Sequence, residues 1–83
     1  MTKQELINLA KECFEIELTY KDKKYSLTYY DDNRKDYISF CEFDKDVLDV
    51  SSVDELWNSS YKGIPIKEIF LSLRGEGVDY SLF

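Results

Sequence analysis

The sequence predicts a two-layer α+β domain: a three-stranded antiparallel meander with helices on one face, in the order α-β-β-β-α-α. Three observations predict it. An apolar stripe with helical spacing opens the chain, the spacing changes to strict alternation after Phe14, and helical spacing returns after Ser52.

Thr2 and Glu5 have capping-box spacing, in which each side chain satisfies an amide at the helix start. Leu6, Leu9, Ala10 and Cys13 then recur every three or four residues, flanked by Ile7 and Phe14. This predicts a helix over about Lys3–Phe14. Ile16, Leu18 and Tyr20 alternate with Glu15, Glu17 and Thr19, and Tyr25, Leu27 and Tyr29 alternate with Lys24, Ser26 and Thr28. A two-residue loop at Asp22-Lys23 sets Tyr20 against Tyr25, Leu18 against Leu27 and Ile16 against Tyr29, which puts every apolar residue on one side.

A polar turn from Asp31 to Asp36 precedes a third strand over about Tyr37–Phe43. Pairing Tyr30 with Tyr37 sets Ile38 against Tyr29 and Phe40 against Leu27, extending the same apolar face. Such a face needs a cover, and the helices are expected to supply it. Ser52 and Glu55 form a second capping box, Val53, Leu56 and Trp57 a buried stripe, and Lys62-Gly63 a break. Pro65 suits the first turn of a third helix, where its missing amide would have been unpaired. Ile66, Ile69, Phe70 and Leu73 form the inner face of that helix, and Gly75 is a natural terminator. The tail Val78–Phe83 alternates, which suits a sheet edge or a free end equally.

The 83 residues make a single domain, 1–83. Seven Tyr, five Phe and Trp57 compensate for the short chain, because rings bury large areas. No apolar run approaches the roughly 18 residues that span a bilayer. Met1–Glu5 leads into a helix with no secretory segment, so a cytoplasmic protein is expected. Cys13 and Cys41 are then expected to be reduced thiols. With no histidine in the chain, two isolated cysteines do not make a zinc site.

Charge is unevenly placed. Of a net charge of −6, Glu42–Glu55 carries six carboxylates, Glu42, Asp44, Asp46, Asp49, Asp54 and Glu55, against Lys45 alone. Such a patch repels nucleic acid and acidic membranes and attracts basic partners. Lys21, Lys23 and Lys24 cluster at a hairpin tip, offset by Asp22, and read as a solvated turn. No direct nucleic-acid or membrane partner is expected.

Catalysis is disfavoured by inventory. Without histidine, the usual general base and the common Ser/His and Cys/His nucleophile pairs are missing. Gly75-Glu76-Gly77 has no strand before it, so it is not a phosphate loop. Asp44, Asp46 and Glu55 fall at positions 1, 3 and 12 of an EF-hand register, but Leu48 and Asp49 occupy the positions that need a ligand and a glycine. No cofactor or metal is expected. Protein binding remains: Tyr30 and Tyr37, with Glu15, Glu17 and Phe43, fall on the outer sheet face next to the acidic run. Rings bordered by carboxylates suit a basic protein. A structural reading stands beside this one, in which the tyrosines stabilise the sheet and the acids confer solubility.

YKDKKYSLTYYDD from Tyr20 to Asp32 and VDELWNSSYKGIPIKEIF from Val53 to Phe70 resemble small acidic accessory proteins of phages and mobile elements in low-GC Gram-positive bacteria, anti-CRISPR inhibitors among them. The resemblance rests on composition and element order. It implies an inhibitor whose carboxylates stand in for phosphates in the basic channel of a nuclease or other nucleic-acid enzyme. The residues themselves supply the candidates: Asp44, Asp46, Asp49, Asp54 and Glu55 are expected to imitate phosphates while Tyr30 and Tyr37 anchor, with Glu42 also on the partner-binding surface. Three alternatives stay open: an antitoxin or immunity protein that covers a toxin, a small structural or assembly homo-oligomer of a phage, and a ligand-binding module for a small cation or nucleotide.

Overall fold

The computed structural model describes residues 1–32 and 35–83. Among them the chain runs α1 (Lys3–Lys11), β1 (Ile16–Tyr20), β2 (Lys23–Asp32), β3 (Lys35–Glu42), β4 (Val47–Val50), α2 (Val53–Trp57), β5 (Ser60–Tyr61), β6 (Ile64–Pro65), α3 (Ile66–Leu71) and β7 (Tyr80–Leu82). The fold is α+β. One five-stranded antiparallel sheet has the order β4-β3-β2-β1-β7, and β5 and β6 form a separate small hairpin.

The expected three-stranded meander is therefore the centre of a wider sheet. The β2–β3 register is the expected one, with Tyr30 opposite Tyr37, Tyr29 opposite Ile38 and Leu27 opposite Phe40. Four residues of β4 add to it, Val50 opposite Ile38 and Leu48 opposite Phe40. The tail closes the other edge, with Leu82 opposite Ile16 and Tyr80 opposite Leu18.

The first hairpin differs in register. Lys21 and Asp22 have φ of 48° and 64°. Two left-handed residues make the turn whose twist matches that of paired strands. The loop is thus Lys21-Asp22, and Leu18 faces Tyr25 while Ile16 faces Leu27. The shift from the expected pairing is two residues, an even number, so every side chain keeps its face. The third strand likewise begins and ends earlier than Tyr37–Phe43. Asn33 and Arg34, within the expected polar turn, lie outside the described residues.

The helices are shorter than their apolar stripes. The capping box at Thr2 and Glu5 is formed, but α1 stops at Lys11 and Cys13, with φ of 55°, turns the chain into β1. Phe14 is left exposed. Helix α2 ends at Trp57, and the expected break at Lys62-Gly63 is a second left-handed hairpin turn, with φ of 50° and 82°. Pro65 sits at the N-cap of α3, one place ahead of the expected position. Helix α3 ends well before Gly75, and the amides of Arg74 and Gly75 turn to the Asp79 carboxylate at 2.9 and 3.2 Å.

All three helices pack on one sheet face. Leu6, Leu56, Ile66, Ile69 and Phe70 are fully buried with Ile16, Leu18, Tyr25, Leu27 and Phe40. Each such side chain stabilises by roughly 1.5–3 kcal/mol. The Tyr25 and Phe40 rings stack at 5.5 Å, and Tyr61 meets both edge-on. The Tyr61 hydroxyl donates to the Asp46 carbonyl at 2.6 Å and accepts from the Glu42 amide at 3.1 Å, tying β5 to the β3–β4 turn. The Met1 amino group donates to the carbonyls of Phe70 and Leu73 at the end of α3.

Two consequences position the site. The outer face, with Ser26, Thr28, Tyr30, Tyr37, Ser39 and Cys41, has no helix over it among the described residues. In addition, β1 pairs only as far as Leu27 and β4 only as far as Ile38, while β2 and β3 continue to Asp32 and Lys35. A two-stranded ribbon projects beyond the rest of the sheet. Among the described residues no helix is long and apolar enough to cross a membrane.

Candidate functional site

The ribbon displays different chemistry on its two faces. Outward, the Tyr30 and Tyr37 rings stack at 5.2 Å with 20° between their planes, and Tyr30 is 49% exposed. Inward, the next pair is Asp31 directly opposite Asp36, and the pair before it is Tyr29 opposite Ile38. Side chains directly opposite one another have Cβ atoms about 5 Å apart, and like charges there are unfavourable. Both aspartates are exposed.

Below this inward face lies a groove of about 570 Å³ between the ribbon and the end of α1. Its walls include Tyr29, Asp31, Asp36 and Ile38 from the ribbon, Cys13 beyond α1, and Glu15 ahead of β1. Three acidic residues thus border it, together with Tyr30 and Tyr37, and no lysine or arginine is among the described residues that line it. The Tyr29 hydroxyl oxygen is shut off from solvent and has no hydrogen-bond partner among the described residues. Burial, then the nearby Cys13 and Glu15, push this phenol up to about 12.

The acidic run is not displayed as one patch, which corrects the expectation that its charges gather on one surface. Glu42 and Asp49 lie on strands, where alternation sends them to opposite faces. Glu42 is turned toward the helical layer, largely covered, with Lys62 Nζ at 4.0 Å. Asp49 points outward and accepts a hydrogen bond from the Ser39 hydroxyl. Asp44 and Asp46 are exposed in the β3–β4 turn. Asp54 is ion-paired with Lys3 of α1. Glu55 accepts from the amide and hydroxyl of Ser51, both at 2.7 Å, which holds its carboxyl below the usual range.

Other residues are brought together instead. Asp36, Tyr37, Asp49 and Glu55 border one shallow depression at the ribbon's edge, and Tyr30, Tyr37, Ser39 and Asp49 border another on the outer face. The tyrosine stack therefore has Asp49 beside it on the outer face, while the next pair along the ribbon, Asp31 and Asp36, alternates to the other face. Phe43 lies at the far end of the outer face, where its amide donates to the Lys24 carbonyl. Asp31, Asp36 and Tyr29 escaped the sequence reading because the stretch between Asp31 and Asp36 reads as a polar turn. The signal was present: extending the Tyr30–Tyr37 register by one residue sets Asp31 against Asp36.

No group of three or more cysteine, aspartate or glutamate side chains among the described residues is arranged to hold a metal ion. Comparison with protein-family models, with curated proteins and with solved structures found no match.

Proposed function

We propose that this protein acts without catalysis, docking the projecting end of its sheet on a basic surface of another protein. Within that class, the reading is an inhibitor that covers the nucleic-acid-binding surface of a nuclease or other nucleic-acid enzyme. One observation carries the proposal: a stacked pair on the outer face, Tyr30 and Tyr37, with Asp49 beside it and Asp31 and Asp36 at the next position along the ribbon. Preformed rings lose little freedom when a partner covers them, and carboxylates around them speed encounter with a positive surface. Phosphate mimicry falls to Asp31, Asp36 and Asp49, with Asp44 and Asp46 beyond them. Glu42 and Asp54 have lysines of their own, so they contribute less. The resemblance to anti-CRISPR inhibitors supports the narrower reading.

The test is a pull-down from host lysate with the wild type and with Asp36→Lys/Asp49→Lys, each checked for folding by circular dichroism. Retained proteins are identified by mass. The expected result is a nucleic-acid enzyme retained by the wild type, inhibited by it, and released by the double reversal. Equal retention by both forms, or capture of a toxin or of a second copy of the chain, would overturn the proposal.

A further inference from the structure

Building on the basic-partner reading above, we infer that the outer face of the five-stranded sheet is a trough that receives one basic amphipathic helix of the docked protein.

The distribution of exposed apolar side chains points there. Seven large ones are exposed among the described residues, and five of them, Tyr30, Phe43, Val47, Val78 and Phe83, border this face. Phe83 exchanges both backbone hydrogen bonds with Glu15, so alternation along β7 turns it to the same side as Ser81. An antiparallel sheet often leaves one face to water, and that face is then polar throughout. Here the middle is polar but the rim is not, and apolar groups gathered around one surface mark a contact site. The rim stands above a low floor. Ser26 and Thr28 on β2 and Ser39 and Cys41 on β3 open into a depression of about 330 Å³. The Tyr30–Tyr37 stack walls it at one end, and Phe43 stands at the other, beside Lys24.

The dimensions suit a helix. From the Tyr30–Tyr37 row to Phe43 is six residues of strand, about 20 Å. Once the rings take their share, a helix about 10 Å across fits between them. Lying across five strands it covers about 19 Å, or about 13 residues of helix. An extended segment suits the floor less, because β2 and β3 are interior strands paired on both sides and offer it no ladder. A helix satisfies its own backbone and brings side chains alone.

Charge selects a basic helix. Glu17, opposite Ser26, and Asp49, opposite Ser39, lie on this face with Glu15, against Lys24. Glu17 and Asp49 are three strand spacings apart, about 14 Å, so basic residues about nine or ten positions apart on the helix reach both. A second copy of the chain would bring the same carboxylates against these, so it is the wrong occupant.

The experiment selects from a display library of random peptides about 16 residues long on the immobilised 83-residue protein, then titrates the isotope-labelled protein with the best binder by NMR. Enriched peptides should share an apolar stripe at three- and four-residue spacing with Lys or Arg near both ends. Shifts should centre on Ser26, Thr28, Ser39 and Cys41. Thr28→Tyr fills the floor with a residue that strands favour, so its melting temperature should not fall. It should weaken the binder about 5- to 150-fold, the range for one overpacked position. Glu17→Lys should weaken the binder more than Glu12→Lys, the same charge change at the end of α1. A proline in the middle of the peptide should abolish binding without altering its charge.

Enriched peptides that are basic but lack helical spacing, and that bind Thr28→Tyr as well as the wild type, would overturn the helix receptor while the basic-partner reading stands. If no basic peptide is enriched, both fall. A wild-type dimer in sedimentation that Thr28→Tyr dissociates would seat a second copy on this face and overturn both.

Discussion

Replacing Tyr29 with phenylalanine should stabilise the unbound protein. The substitution keeps the ring and its packing and removes only a hydroxyl that is shielded from water without a hydrogen bond among the described residues. Burying such a group costs about 1–3 kcal/mol, so a gain of about 1 kcal/mol is expected at neutral pH. For a domain of this size that raises the melting temperature by roughly 4–8 °C. The pH dependence has a definite sign. The folded phenol titrates at about 12, whereas an unfolded tyrosine titrates near 10. The native state therefore binds the extra proton, and wild-type stability is intact below about pH 10 and declines as pH rises toward 12. Phenylalanine has no proton to lose, so the variant's advantage should widen in that window. Urea denaturation followed by far-UV circular dichroism at pH 7 and at steps above pH 10 measures both effects. A variant less stable than the wild type at pH 7 would show that the hydroxyl has a partner. A difference that stays flat from pH 10 to 12 would show that Tyr29 ionises normally.

Three further outcomes follow from the packing. Tyr61→Phe removes a donor to the Asp46 carbonyl and an acceptor from the Glu42 amide, and should lower stability by about 1–3 kcal/mol in the same denaturation assay. Gly63→Ala places a side chain at φ of 82° with nothing within 4 Å of its Cβ. The loss should be about 1–2 kcal/mol of backbone strain with no clash, and an Asn at the same position should lose less. At Asp79 burial raises the carboxyl, but the amides of Arg74 and Gly75 and the Arg74 guanidinium outweigh it and hold it below the usual range. Its contribution is present above the ordinary aspartate range and is lost as pH falls through the lowered value. The stability gap between wild type and Asp79→Asn should therefore close on acidification, as acid titrations by circular dichroism would record.

The β2–β3 pairing was legible because Tyr25, Leu27, Tyr29, Ile38 and Phe40 form one alternating apolar set, and a slip by one residue would expose all of it. The first hairpin was legible as to face but not register, since Lys21 and Asp22 adopt left-handed backbone without the glycine that usually signals it. Strand β4 has four residues, too few for alternation to declare itself. The hairpin around Lys62-Gly63 looked like a helix break because two-residue strands leave no periodic trace. At the site, the tyrosine pair was visible from register alone. The acidic run was visible only as composition. Its dispersal depends on strand alternation at Glu42 and Asp49, and on tertiary neighbours, Lys3 and Lys62, that lie far away in the chain.

The most direct test is an amide chemical-shift map of the wild type titrated with deca-arginine at moderate salt. Binding through the projecting ribbon predicts shifts concentrated at Tyr29, Tyr30, Asp31, Asp36, Tyr37 and Asp49, and their loss in Asp31→Asn/Asp36→Asn. Shifts centred instead on Asp44 and Asp46 in the β3–β4 turn, or unchanged in the double variant, would contradict it.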